Sequence, residues 1–122
     1  MKKAPNNPFD RLYKACGYSL VGLRAAYRNE QAFRQEVWLG LILVPLAFYL
    51  TASPIERSLL IGAWLLVMIT ELLNSAIEAV VDRFGDEWHE LAGRAKDIAS
   101  AAVFLSLVLA LLVWFLIVLT PI

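Results

Sequence analysis

The chain is short and strongly apolar, with 122 residues, 60% of them hydrophobic, and a mean hydropathy of +0.64. This composition excludes an ordinary soluble domain and predicts a small integral membrane protein with a few spans. Eleven basic and eleven acidic residues give no net charge, so charge does not point to any partner and we expect no nucleic acid. A single cysteine excludes an internal disulfide and a cysteine-based metal site.

The first predicted element is an amphipathic helix over about residues 8–33. Apolar Leu12, Leu20 and Leu23 fall on one side, whereas Arg11 and Arg24 fall largely elsewhere. This pattern predicts a helix that lies on the anionic inner leaflet of a membrane. A surface anchor without a chemical role fits most of these residues equally well. No apolar run follows the basic start closely, so we expect no cleavable signal peptide.

Three long apolar runs follow the predicted surface helix, and each is long enough to cross a bilayer. They cover about residues 37–55, 58–81 and 98–120. The first contains Pro45, which a membrane helix can accommodate, and the second is interrupted only by Glu71 and Glu78. The sequence has no internal repeat and no linker. We therefore predict an all-α membrane protein with three transmembrane helices and one domain over residues 1–122.

Basic residues predict the orientation of these spans. They cluster before the first span and in the segment 82–97, whereas the first connection contains only Arg57. The positive-inside rule therefore places the N-terminus and the segment 82–97 in the cytoplasm and the C-terminus on the opposite side.

The second span contains polar residues at helical spacing. Glu71, Asn74, Glu78 and Asp82 fall within roughly 80° of arc on a helix, and Glu71 and Glu78 stand about 10 Å apart along its axis. A charge deep in a bilayer costs about 2.5–3.5 kcal/mol on insertion scales. Two carboxylates in one span therefore need a partner, a proton or a metal ion.

Hard oxygen ligands and phosphate-binding groups gather near the predicted cytoplasmic interface. The carboxylates there are Glu30, Glu78, Asp82 and Asp97. They suit Mg²⁺ with phosphate completing its coordination, while His89 without other nitrogen or sulfur ligands does not make a zinc site. His89 and Lys96 can contact phosphates, and Trp88 offers a stacking face for a base. A charged loop that merely ends two helices is the alternative.

The polar motif resembles a known family. Residues 71–82, with the pattern Glu-x-Leu-Asn-Ser-Ala-Ile-Glu-x-x-Val-Asp, are similar to the signature of the small prokaryotic diacylglycerol kinases, and the likeness extends over residues 15–19, 22–26, 29–36 and 89–97. The resemblance implies a homotrimer of three-span protomers with a surface helix in the bacterial inner membrane, and a C-terminus in the periplasm. It also implies that ATP and Mg²⁺ are used to phosphorylate diacylglycerol.

The resemblance assigns roles by position. It makes Glu71 the general base, supported by Asn74, with Lys96 aiding phosphoryl transfer, and it makes Glu30 and Glu78 the Mg²⁺ ligands. The residues implied for the nucleotide are Arg11, Tyr18, Glu30, Glu78, Glu87, Trp88, His89, Lys96 and Asp97. The residues implied for the lipid are Ala15, Ser19, Arg24, Tyr27, Phe33, Arg34, Gln35, Glu36, Glu71 and Ser100.

Two other functions remain open at this point. Undecaprenol kinases share the same fold and site, and Leu20-Val21 differs from the Trp-Lys of the best-known enterobacterial form in the segment expected to contact lipid. A non-enzymatic membrane assembly or an ion-conducting subunit can also use Glu71 and Glu78 as a cation or proton path. That function leaves four residues without a role, namely Trp88, His89, Lys96 and Asp97.

Overall fold

The structure of the protein, a computed structural model, describes residues 7–85, 87 and 89–120, and all regular elements in this part are α-helices. The helices are α1 (Pro8–Asn29), α2 (Gln31–Leu50), α3 (Pro54–Arg83) and α4 (Glu90–Leu119). This confirms the predicted all-helical class. The predicted surface helix continued to residue 33, whereas the structure ends α1 at Asn29 and starts α2 two residues later.

Glu30 separates α1 from α2. It has an extended backbone with φ −114° and ψ 109°, so it ends one helix and precedes the next. The Arg34 guanidinium donates to the carbonyls of Tyr27 and Arg28, at 2.8 Å each, and so satisfies acceptors that the last turn of α1 leaves open. A short polar side chain holds the other end of α1, where Asn7 Oδ1 accepts from Asp10 N at 2.6 Å.

The connection between α2 and α3 covers only residues 51–53, and hydrogen bonds hold both of its ends. Ser53 Oγ accepts from Glu56 N at 3.2 Å, with Pro54 as the first residue of α3. Arg57 donates to the carbonyls of Thr51 and Phe48, at 2.7 and 3.0 Å, which end α2. A connection of this length makes α2 and α3 antiparallel neighbours.

α3 is the central helix, because it packs against both α2 and α4. Its buried residues are Leu60, Ala63, Val67 and Glu71, whose spacing places them on one face. The buried positions of α2 are Phe33, Gly40 and Ala47, and those of α4 are Ala99 and Ser106. Most of these side chains are small, so the helices can approach closely, as is usual between helices in a membrane.

Polar side chains link the helices at several levels. Thr70 Oγ1 and Ser106 Oγ lie 2.9 Å apart and join α3 to α4. The two helices are joined again where Trp114 Nε1 donates to the carbonyl of Leu60 at 3.1 Å. Hydrogen bonds of this kind between membrane helices are each worth about 0.6 kcal/mol on average.

Three of the helices, α2, α3 and α4, are long and apolar enough to cross a membrane, by length and composition. The prediction of three membrane-spanning helices is thereby supported. α3 and α4 have 30 residues each and are therefore about 45 Å long, compared with about 30 Å of hydrocarbon. About ten residues of each must extend beyond that layer. Charged residues are frequent where the two helices meet, at Asp82, Arg83, Glu90, Arg94, Lys96 and Asp97.

Candidate active site

The polar residues of α3 continue its buried apolar face. Glu71 follows Val67 by four residues and is only 8% exposed, so a carboxylate stands where the packing would otherwise place an aliphatic side chain. Asn74 and Glu78 follow at helical spacing and are half-buried. The helical repeat that places apolar residues of α3 in the core of the bundle therefore also places polar residues on the same face, toward the C-terminal end of α3.

Four carboxylates converge at this end. The charge of Glu71 interacts with those of Glu30 and Glu78, and the charge of Glu36 interacts with that of Glu71. Glu30 comes from the break between α1 and α2, Glu36 from α2, and the other two from α3. Because like charges repel one another, the cluster attracts cations.

Asn74 lies between Glu71 and Glu78 on α3. Its Nδ2 donates to Glu78 Oε1 at 3.3 Å. Among the described residues its buried Oδ1 has no hydrogen-bond partner. An unsatisfied buried acceptor costs about 1–3 kcal/mol, so this oxygen favours a ligand that donates a hydrogen bond or a cation that it can coordinate.

The oxygen atoms of this cluster are of the type that could hold a magnesium ion together with phosphate. In the described part of the chain no three His, Cys, Asp or Glu side chains are arranged to hold a metal by themselves. Mg²⁺ is usually bound through one or two carboxylates together with substrate phosphates. Glu30 and Glu78, with the Oδ1 of Asn74 on α3, offer only hard oxygen atoms, which is the ligand type that Mg²⁺ requires.

A cleft of about 690 Å³ opens between the end of α3 and the start of α4, and both polar and apolar side chains line it. Lys96 Nζ lies 2.6 Å from Asp82 Oδ1 across this cleft, and its charge also interacts with that of Glu78. Lys96 therefore interacts both with Asp82 in the cleft and with Glu78 in the carboxylate cluster. The described residues that line it are Val80, Val81, Asp82, Phe84, Gly85, Glu87, His89, Leu91, Ala92, Gly93, Ala95 and Lys96.

The turn between α3 and α4 has local causes. Gly85 has φ +109°, a left-handed conformation that side chains with a Cβ rarely adopt. His89 Nδ1 accepts from Leu91 N at 3.1 Å and so caps α4. Because the cap uses Nδ1, Nε2 is the atom of His89 that can contact a ligand.

A second cavity of about 430 Å³ lies between α3 and α4. Thr70 and Asn74 are its only polar lining residues among those described. The others are Leu73, Ile77, Ala95, Ile98, Ala99 and Ala102. An apolar group of a ligand can be buried here within reach of Asn74, while Ala95 lines both this cavity and the cleft.

The residues predicted on α1 lie apart from both cavities. They are Arg11, Ala15, Tyr18, Ser19, Arg24 and Tyr27, and all are exposed. α1 packs against α2, whereas the cavities are formed by α3, α4 and the segment between them. The structure therefore does not bring Arg11 or Tyr18 into the cleft of the same chain.

The remaining predicted residues have different surroundings. Phe33 is 3% exposed and packs in the core, and Arg34 holds the end of α1, so both have structural contacts that the sequence did not indicate. Gln35, Asp97 and Ser100 are exposed. Trp88 lies outside the described residues. The lipid and nucleotide contacts of this group stay predictions.

Sequence reasoning missed two features of the site. It assigned Glu36 to the lipid alone and did not place it with Glu71, and it did not link Lys96 to Asp82. Both pairs depend on how α2, α3 and α4 pack together, because the partners lie on different helices. No local spacing in the sequence contains this information.

Membrane-length helices with a buried glutamate, a lysine-containing cleft and an apolar cavity define a membrane protein suited to one charged and one apolar ligand. Residues 17–118 match the family described as prokaryotic diacylglycerol kinase. Over 106 residues, or 87% of each chain, the sequence is 57% identical to the diacylglycerol kinase of Escherichia coli strain K12. It is 54% identical over 103 residues to that of Haemophilus influenzae, covering 84% of this chain and 87% of the relative.

The likeness extends beyond these two organisms. The diacylglycerol kinase of Pseudomonas aeruginosa is 52% identical over 104 residues, or 85% of each chain. The chain belongs to the prokaryotic diacylglycerol kinase family.

Proposed function

We propose that the protein phosphorylates diacylglycerol with ATP, giving phosphatidic acid and ADP. Family membership supports this activity, with relatives named diacylglycerol kinase at 52–57% identity. The structural observation that carries it is the buried Glu71, whose helical neighbours Thr70 and Asn74 line the apolar cavity. The charge of Glu71 interacts with that of Glu78, which in turn interacts with that of Lys96 in the cleft. A lipid kinase must bring a polar nucleotide and an apolar alcohol together at such a place.

Glu71 is the proposed general base. Its carboxylate takes the proton from the lipid hydroxyl as the oxygen attacks the γ-phosphorus of ATP. A bond forms between the lipid oxygen and phosphorus, the bond from phosphorus to the β,γ-bridging oxygen breaks, and ADP leaves. Asn74, three residues away, would support Glu71, and its Oδ1, which has no hydrogen-bond partner among the described residues, can accept a hydrogen bond from the substrate. Burial of Glu71 limits the access of water, which would compete with the alcohol.

The nucleotide is proposed to occupy the cleft at the start of α4. Glu30 and Glu78 would hold Mg²⁺, whose charge offsets that of the phosphates. Lys96 is the cation best placed for the phosphates, because it connects the cleft with Glu78. The other proposed nucleotide contacts are Arg11, Tyr18, Glu87, Trp88, His89 and Asp97.

The lipid is proposed to approach from the membrane side of the bundle. The apolar cavity between α3 and α4 can bury part of it next to Asn74. The proposed lipid contacts outside this cavity are Ala15, Ser19, Arg24, Tyr27, Phe33, Arg34, Gln35, Glu36 and Ser100. α1 would lie on the membrane surface, which agrees with the high exposure of its aromatic residues Phe9 and Tyr13.

We further propose a homotrimer in the bacterial inner membrane. Arg11 and Tyr18 lie apart from the cleft of their own chain, and a neighbouring chain can supply them to it. Native mass measurement in mild detergent should give three chains, and a fully active monomer contradicts this.

The proposed orientation has a cytoplasmic N-terminus and a periplasmic C-terminus, from the distribution of basic residues. A cysteine placed at the exposed Phe84, beside Gly85, in protein lacking Cys16, should react with an impermeant thiol reagent from the cytoplasmic side only. Labelling from the periplasmic side would reverse the orientation.

The proposed activity is tested by a direct comparison of two lipids. Purified protein in mixed micelles receives labelled ATP, Mg²⁺ and either diacylglycerol or undecaprenol, and kcat/KM is measured for each. We expect the higher value for diacylglycerol. A higher value for undecaprenol would make the protein an undecaprenol kinase. If neither lipid is phosphorylated, the kinase function is refuted and the ion-conducting alternative is favoured.

A further inference from the structure

The indole ring of Trp64, on α3, lies against the backbone of α2. Trp64 Nε1 donates to the carbonyl oxygen of Glu36 at 2.7 Å. One turn further along α2, Gly40 is buried, and a Cβ at this position would overlap the six-membered ring of Trp64. The ring therefore occupies space that is open only because residue 40 is glycine.

Trp64 holds the backbone carbonyl of Glu36, and the side chain of Glu36 extends in the other direction along α2, toward the candidate active site. A helical carbonyl points toward the C-terminal end of its helix, whereas the Cα–Cβ bond tilts toward the N-terminal end. Because α2 and α3 are antiparallel, the side chain of Glu36 extends toward the C-terminal half of α3. The interaction between the charges of Glu36 and Glu71 agrees with this direction.

Trp64 and Glu71 share a face of α3. They are seven residues apart, which corresponds to two turns or about 10 Å. Trp64 holds the backbone of Glu36 at its own position along α3. The carboxylate of Glu36 interacts with Glu71, two turns closer to the C-terminal end of α3. At the opposite end of α2, Arg57 donates to the carbonyl of Phe48, so α2 is tied to α3 near both of its ends.

We propose that Trp64 is a positioning residue for phosphoryl transfer, because its N–H group and its ring hold α2 so that the Glu36 carboxylate stays beside Glu71. This inference rests on the proposed kinase function. Trp64 itself touches neither cavity among the described lining residues, so it acts through Glu36. Loss of the hydrogen bond should leave nucleotide binding intact and slow the chemical step.

The test uses Trp64→Phe, which removes the donor and keeps an aromatic ring. The matched control is Trp114→Phe, because Trp114 Nε1 makes the same kind of bond between helices, to the Leu60 carbonyl at 3.1 Å, away from the carboxylates. We expect kcat to fall about 3- to 10-fold in Trp64→Phe, with the KM for ATP changed less than about 2-fold. Trp114→Phe should leave both constants within about 2-fold.

A double variant separates positioning from general stability. If Trp64 acts through Glu36, then Trp64→Phe should change kcat less than about 2-fold in protein that already has Glu36→Gln. Equal loss of kcat in the two tryptophan variants, unchanged kcat in Trp64→Phe, or independent effects of Trp64→Phe and Glu36→Gln would each overturn the proposal.

Two further controls complete the test. If Trp64→Phe does not fold, benzothienylalanine at position 64 keeps the size of the ring and lacks the N–H donor, and the same criteria apply to it. If the unsubstituted protein phosphorylates no lipid, the proposed function fails and this inference fails with it. An active unsubstituted protein with equal losses in both tryptophan variants refutes the role of Trp64 alone.

Discussion

The buried face of α3 has two halves that differ in composition and share one register. In the first half, Leu60, Ala63 and Val67 pack against the neighbouring helices, and Leu60 is fully buried. In the second half the same positions continue with Glu71, Asn74 and Glu78. The helix direction and the helical repeat are identical, so the difference lies in the side chains alone.

This difference indicates that the apolar half of α3 holds the bundle together, whereas the polar half contains the candidate active site. The apolar half needs no ligand, because its side chains fill the space between α2 and α4. The polar half contains charges that repel one another and a buried Asn74 Oδ1 without a partner among the described residues. A fold retains such an arrangement when a ligand satisfies it, so the polar half is the part that we expect to bind and react.

The largest expected effect on stability is in the apolar half. Leu60→Ala removes a fully buried side chain and should lower the free energy of unfolding by about 2–5 kcal/mol. Leu59→Ala is the matched control, because Leu59 is exposed on the same helix. Unfolding by denaturant in mixed micelles measures both. Turnover per folded molecule should stay normal, and its loss in Leu60→Ala protein would show that the two halves are not separate.

In the polar half, Glu78 should have the larger effect on nucleotide binding. Glu78→Gln keeps an acceptor for Asn74 Nδ2 and removes the charge, so Mg²⁺-dependent ATP binding should weaken by about 10- to 100-fold. Glu56→Gln, at the opposite end of α3, is the control and should leave ATP binding unchanged. Titration of ATP at fixed Mg²⁺ gives both affinities. Unchanged affinity in Glu78→Gln protein would exclude Glu78 as a metal ligand.

Lys96 should have a large effect on catalysis and a small one on stability. Its ion pair with Asp82 is 42% and 64% exposed and is therefore screened by solvent, so loss of the pair should change the stability of the fold little. Lys96→Met should nevertheless reduce kcat/KM for ATP about 10-fold, because a charged hydrogen bond to phosphate is lost. Lys14→Met removes a comparable pair, with Asp10 at 3.3 Å, and should have no such effect. Equal kcat/KM in the two variants would exclude Lys96 from the nucleotide site.

The smallest effect is expected at the hydroxyl pair between α3 and α4. Ser106→Ala breaks the contact with Thr70 and should lower the free energy of unfolding by about 0.6 kcal/mol. Ser58→Ala is the control, because Ser58 Oγ donates only within its own helix, to Pro54 O at 2.7 Å. Denaturant unfolding of both proteins shows the difference. A loss above about 2 kcal/mol in Ser106→Ala would mean that this pair, and not the apolar half, governs the packing of α3 on α4.

Local patterns predicted the helices and part of the site. Apolar runs indicated three spans, and the spacing of Glu71, Asn74 and Glu78 indicated one polar face, because both follow from the helical repeat. The break at Glu30 was missed, since the residues around it fit a continuous helix and Arg34 ends α1 through contacts with backbone carbonyls. The Glu36–Glu71 and Asp82–Lys96 pairs were missed because they require the packing of separate helices.

The role of Glu71 is tested most directly by Glu71→Gln. Glutamine keeps the size and hydrogen-bonding capacity of the side chain but cannot take a proton. At saturating ATP, Mg²⁺ and diacylglycerol, turnover should fall by about 10²- to 10⁴-fold, the usual contribution of a general base, while ATP binding by the same protein changes less than about 3-fold. Near-normal turnover in Glu71→Gln protein that still binds ATP would contradict the assignment of Glu71 as the base and, with it, the division of α3 into a structural and a reactive half.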